Sequence, residues 1–212
     1  MANGLANGTS ERTKNRTFEL VGGHPALDLV NTLDWRFRDS GPEELMTDYG
    51  DMVRFAEQSG LMSNAQARRL IRNTSETKAA QVVAAVRGLR EAAAQVLYAA
   101  LEDDVAPASA VAQSESCFKA AQKAQRLHWT GARLAWELPQ SASLPELPLW
   151  LLSLSAAELM TSDEMERVRA CGNAECRWLF LDTSKNHTRR WCDMKICGNR
   201  MKARRFKAQH RA

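Results

Sequence analysis

Four of the five cysteines, Cys171, Cys176, Cys192 and Cys197, fall within 27 residues as two Cys-x4-Cys pairs with fifteen residues between them. Four thiolates brought together satisfy the tetrahedral preference of zinc, and small zinc modules present their ligands as two pairs on short turns. A full shell of four sulfurs leaves no open position, so such an ion, one per chain, is structural rather than catalytic. Two other uses of the thiols stay open. Neighbouring Arg and Lys lower thiol pKa values, which suits a redox pair, and buried cysteines also serve as small hydrophobes. The chain shows no secretory signal, which argues against disulfides. Between the pairs, "RWLFLD" and "RRWC" are expected to form two short strands around "TSKNHT". A segment this small has little core of its own, so bound metal would supply much of its folding energy. The fifth cysteine, Cys117, stands alone and reads as a core residue.

The same region is strongly basic. From Arg167 to Ala212 there are 13 Lys/Arg against 3 Asp/Glu, whereas the preceding residues hold 16 against 22, within a net charge of +4. A basic tail on a mildly acidic body predicts an electrostatic partner, most often nucleic acid. No proline follows Cys192, and the segment reads as helix to the end. Arg200, Arg204, Lys207 and Arg211 recur at i, i+4, i+7 and i+11, one basic stripe, with Lys202 and Arg205 on its flank. Arg189, Arg190 and Lys185 precede it. Such groups are expected to contact phosphates with salt-sensitive affinity, and the tail alone is expected to bind duplex DNA. RNA is the alternative partner, and a solvated helix that only aids solubility is the competing reading. Trp178 and Trp191 are expected to cover the metal site.

A second constellation lies near the N-terminus. "HPALDLVNTLDW" reads as a helix on which His24, Asp28, Asn31 and Trp35 form one polar stripe. That stripe would suit the lining of a small-molecule pocket in a sensor domain, and it would equally suit a wet helix face. An enzyme with its site near His24 and Asp28 is a separate reading. It has no nucleophile elbow or phosphate loop beside it, and the chain is expected not to be an enzyme.

The elements that must position these groups follow from periodicity. "FELVGG" reads as a short strand. "TDYGDMVRFAEQSG" reads as a helix capped by Thr47 and closed by Gly60, and "SNAQARRLIRN" opens with a Ser-x-x-Gln capping box. The longest helical pattern, "ETKAAQVVAAVRGLREAAAQVLYAALEDD", places Val82, Val86, Leu89, Ala93, Val96, Leu97 and Ala100 toward a core. Another helix is expected from about 109 to 125. "RLHWTGARLAWEL" alternates about Thr-Gly as a β-hairpin, and "SLPELPLWLLSLSAAELMTS" is apolar enough to be the central buried helix. The expected fold class is α+β: a predominantly α-helical N-terminal domain with a short β-hairpin, plus a small treble-clef or ribbon-like zinc finger. The boundaries read as a disordered polar lead over 1–16, a domain over 17–164 and the finger over 165–212. No apolar run is long enough to span a membrane, and a cytoplasmic location is expected.

The stretch "CGNAECRWLFLDTSKNHTRRWCDMKICGNRMKARR" closely resembles the CGNR zinc finger, whose tetrapeptide stands here as Cys197-Gly198-Asn199-Arg200. The segment "VGGHPALDLVNTLDWR" is similar to the ABATE domain that accompanies this finger in bacterial proteins. The resemblance implies that Cys171, Cys176, Cys192 and Cys197 are zinc ligands. It also implies a stress-responsive transcription regulator with a DNA-binding finger, a small-molecule effector and a homodimeric state being further expectations.

Overall fold

The computed structural model describes residues 17–139 and 144–210. The expected lead over 1–16 lies outside the described residues. Helices dominate, and among the described residues every sheet is two-stranded and antiparallel.

The chain enters through Phe18, whose ring packs edge-on against Phe55 at 5.3 Å. "FELVGG" is not a strand. Gly22 offers only its carbonyl to Leu181 N–H, at 2.7 Å, while the Phe18 N–H bonds Gln58 Oε1. One backbone bond does not make a ladder. Helix α1 (Pro25–Asn31) starts with proline in its first turn, where the missing N–H is not needed. It ends at Asn31, four residues short of the expected end, and β1 (Leu33–Asp34) turns back to pair with β2 (Glu43–Glu44). Trp35 therefore leaves the predicted stripe and adopts a left-handed conformation at φ 50°.

Helix α2 (Tyr49–Gln58) is capped by Asp48, not Thr47: the Asp48 carboxylate accepts the Asp51 N–H at 2.8 Å. Thr47 instead hydrogen-bonds Asp51. Helix α3 (Asn64–Asn73) opens with the expected box, Ser63 and Gln66 each accepting the other's backbone N–H. Helix α4 (Glu76–Leu101) runs for about 39 Å at 1.5 Å per residue, burying Val82, Val86, Leu89, Ala93 and Leu97 at helical spacing. Val96 is only half-buried and Ala100 is exposed. Arg90, also buried on α4, pairs with both Glu44 oxygens at 2.7 and 2.8 Å and with Glu91. It clasps the β1–β2 hairpin to the helix. A buried cation surrounded by carboxylates is tolerated where its charge and donors are matched.

Helix α5 (Ala108–Ala124) and hairpin strands β3 (Arg126–Trp129) and β4 (Leu134–Glu137) follow, as periodicity predicts. Half-buried Cys117 lies at the edge of the core. Helix α6 (Leu147–Met160) is the central element, touching α1, α2, α4 and α5.

After a short 3-10 turn at Asp163–Arg167, β5 (Val168–Ala170) pairs with β6 (Leu179–Leu181). The partner of "RWLFLD" is thus "VRA", and "RRWC" is not a strand. Its residues make single contacts, Arg190 O accepting from Gly172 N–H and Arg189 N–H donating to Asp182. Strand β6 is a shared wall, because successive side chains of a strand point to opposite faces. Leu179 and Leu181 join Leu27, Val30, Ala93, Leu97, Ala156 and Leu159 in the helical core. Phe180, between them, packs with the four cysteines and Trp178. Burying each leucine contributes about 2 kcal/mol. Val168, Leu179 and Leu181, from the expected finger segment, thus share a core with the helical body.

Candidate metal centre and nucleic-acid surface

The first cysteine pair flanks a tight turn. Asn173 O accepts from the N–H groups of Cys176 and Arg177 at 2.9 and 3.0 Å, and Trp178 O accepts from Cys171 N–H at 2.8 Å. Arg177 is held left-handed at φ 48°. Tyr98 Oη donates to its carbonyl at 2.8 Å, Glu102 pairs with its guanidinium, and that guanidinium lies over the rings of Phe37 and Tyr98. The long helix thus fixes the turn that carries the first pair.

The second pair spans the start of a helix. Asp193 accepts the N–H groups of Lys195 and Ile196 at 2.6 and 3.0 Å, and its carbonyl accepts from Cys197 and Gly198. This wide turn over Met194–Gly198 runs directly into α7 (Asn199–Gln209).

The four sulfurs lie within 4.8 Å of one another, and all four cysteines are buried. Cys176 Sγ and Cys192 Sγ are 3.9 Å apart. A zinc ion with bonds of about 2.3 Å to four sulfurs gives a tetrahedron with edges of about 3.8 Å. Asn173, itself buried, directs Nδ2 at Cys197 Sγ from 3.7 Å. Protons alone satisfy this set poorly. Hydrogen bonds from Cys176 and Cys192 hold the Cys171 thiol far down, and that same contact pushes Cys176 and Cys192 up. A divalent cation takes the place of those protons and offsets part of the charge on the crowded sulfurs. The cluster suits one structural zinc ion.

The basic residues divide into two groups. Arg189 is spent on the fold: Nε donates to Trp191 O at 3.0 Å, Nη2 donates to Val21 O and Cys192 O, and the guanidinium stacks over Phe180 at 4.3 Å. Arg200 stacks over Trp35 at 4.7 Å, so α7 is pinned at its first turn to the helical domain. These two arginines do not stand out into solvent as their spacing suggests. Arg190 is exposed beside Trp191. Arg204 makes an exposed pair with both Glu175 oxygens, each at 3.1 Å. Lys202 and Lys207 are exposed on α7, as are Lys195 in the turn before it and Lys185 in the loop after β6. The Arg205 side chain and Arg211 lie outside the described residues. From Lys202 to Gln209 every described side chain of this helix is exposed, Phe206 at 61%. Lys195 is an exposed cation that the stripe pattern misses, because it sits in the wide turn before α7.

The N-terminal polar stripe has other employment. His24 caps α1, its Nδ1 accepting from Ala26 N–H at 3.2 Å, and burial lowers its pKa. Asp28 is buried and accepts the Gly22 N–H at 2.7 Å. Gly22 is required there, since a Cβ would come within 2.8 Å of Asp28 Oδ1 and 3.0 Å of Leu27 Cβ. Asn31 exchanges two hydrogen bonds with the backbone of Leu179. The cavity beside Asp28 and Asn31 holds about 10 Å³, room for at most one water.

A helical body joined through β6 to a four-cysteine centre defines a two-part protein with a zinc finger at its C-terminal end. Residues 23–163 match the ABATE family, described as "Putative stress-induced transcription regulator", and residues 167–210 match the CGNR zinc finger. The chain belongs to the ABATE family and carries a CGNR finger. A comparison with curated proteins gives no match. The ABATE description points to a regulator rather than an enzyme. Among the described residues, no helix is long and apolar enough to cross a membrane.

Proposed function

We propose that the chain is a transcription regulator that binds duplex DNA through α7. In this reading Cys171, Cys176, Cys192 and Cys197 hold zinc, and the zinc fixes the base of the helix. The observation that carries the reading is that every described side chain of α7 beyond its first turn is exposed, while Arg200 in that turn stacks on Trp35 and Cys197 stands just before it. A helix of 11 residues is about 16 Å long and marginal in isolation, so its projection from a rigid centre fits it to a groove. Lys202 and Lys207, together with the exposed Lys185, Arg190 and Lys195, are the phosphate-contacting set. Arg204 joins them by leaving Glu175, since an exposed pair is worth at most about 1 kcal/mol. Arg189 and Arg200 act as supports.

Effector sensing belongs to a different place from the α1 stripe. A cavity of about 550 Å³ between α2, α3 and α4, lined by Tyr49, Ile71, Val83 and Arg87, has the size of a small-molecule site. Selection of bound sequences from random duplex DNA and RNA pools by the full-length chain tests the proposal. Enrichment of a duplex DNA motif is expected. Enrichment confined to RNA would replace DNA as the partner.

A further inference from the structure

The β3–β4 hairpin presents an apolar face to solvent. In its register Leu127 stands opposite Trp136, and Trp129 stands opposite Leu134. Side chains two apart on a strand share a face, so all four lie together on one side of the ribbon. Their exposures are 52, 63, 62 and 62% respectively. Leu138, one step further in the same alternation, is buried and ties the ribbon to the body. The opposite face carries Arg126, His128, Ala135 and Glu137, with His128 and Glu137 paired at 3.3 Å.

That division decides what the apolar face fits. Aromatic platforms for nucleic acid stack bases beside cations that meet the phosphates. Here Arg126, the one Lys or Arg in the two strands, lies on the other face. The four side chains form a two-by-two checkerboard, each leucine beside a tryptophan both along and across the strands. A two-fold axis in the plane of such a face, parallel or perpendicular to the strands, sets every tryptophan against a leucine of the second copy. Large residues then meet small ones at all four positions, and the pattern is complementary to itself. The exposed parts of these side chains amount to about 500 Å² per copy. Two copies face to face would bury about 1,000 Å², the lower bound for a specific contact.

We infer that the Leu127/Trp129/Leu134/Trp136 face is the contact of a two-fold symmetric homodimer. The hairpin pairs with a second hairpin face to face, leaving the zinc centre and α7 of each copy outside the contact.

Sedimentation velocity on the full-length, zinc-loaded chain tests this from about 1 to about 200 µM, where a contact of this size is expected to associate. The mass should rise from 23.7 kDa toward twice that value. Trp129→Ser with Trp136→Ser should weaken association at least about 100-fold, as loss of two central tryptophans does. Because these substitutions also remove cross-strand pairs, hydrogen exchange on the unaltered chain provides the second readout. Amides of residues 126–137 should gain protection with rising concentration, while those of α7 should not. A chain monomeric throughout the range, even one whose hairpin captures another protein or a nucleic acid, overturns the inference. So does a dimer whose hairpin exchange is independent of concentration.

Discussion

Asn31 Nδ2 donates to Leu179 O at 2.9 Å, and Leu179 N–H donates to Asn31 Oδ1 at 2.8 Å. The side-chain amide of α1 thus serves β6 as a neighbouring strand would. It satisfies both backbone groups on the open edge of a two-stranded sheet, across 148 residues of chain. Because β6 also walls the cysteine cluster, this pair is a joint between the helical body and the metal centre.

Asn31→Ala should therefore destabilise the protein by about 3 kcal/mol, since two buried backbone groups lose their partners at about 1–3 kcal/mol each. The urea midpoint at unchanged m-value reads this. A cost below about 0.5 kcal/mol would mean that water replaces the amide at no penalty.

Removal of zinc should be felt throughout the chain. Val168, Leu179 and Leu181 belong to the core of the helical body, and their release forfeits about 2 kcal/mol each. Treatment with a strong chelator should lower the melting temperature of the α4–α6 helices by at least about 10 °C, the shift expected of several kcal/mol in a chain of this size. Melting of those helices at the same temperature with and without metal would show that the finger is an independent appendage.

Asp28 predicts a pH dependence of unusual sign for a carboxylate. Burial pushes its pKa up to about 6 from an ordinary 3.8, against the Gly22 and Val21 N–H groups, which act to lower it. The folded chain holds this proton to higher pH than the unfolded chain does. The stability it contributes is fully present below about pH 4 and is lost as pH rises to about 6, by about 3 kcal/mol. Asp28→Asn keeps an acceptor for Gly22 and removes the titration. The difference in unfolding free energy between the two chains should change by that amount from pH 4 to pH 7. A constant difference would place the carboxylate in contact with water.

Part of this was legible in residue types. Zinc ligands must be few, soft and paired, so two Cys-x4-Cys units mark the centre before any fold is known. The Ser63/Gln66 box and the Thr130-Gly131 turn with its alternating flanks are local and also visible. The role of Asn31 is not, because its partner is backbone, and the peptide of Leu179 leaves no trace in the side chain at that position. Three-residue strands carry too little pattern to choose between "VRA" and "RRWC" as the partner of β6. Arginine spacing cannot separate Arg189, whose donors go to carbonyl oxygens, from Lys202, whose donors face solvent. The two differ only in what surrounds them.

The reading of α7 as a DNA-binding helix is tested most directly by the salt dependence of duplex affinity for the full-length, zinc-loaded chain and for its Lys202→Gln/Lys207→Gln variant. The logarithm of the binding constant should fall linearly with the logarithm of salt concentration. The double substitution should reduce that slope by about 2, one for each lost phosphate contact, at unchanged zinc content. An affinity indifferent to salt, or a slope that the two substitutions leave unchanged, would contradict it.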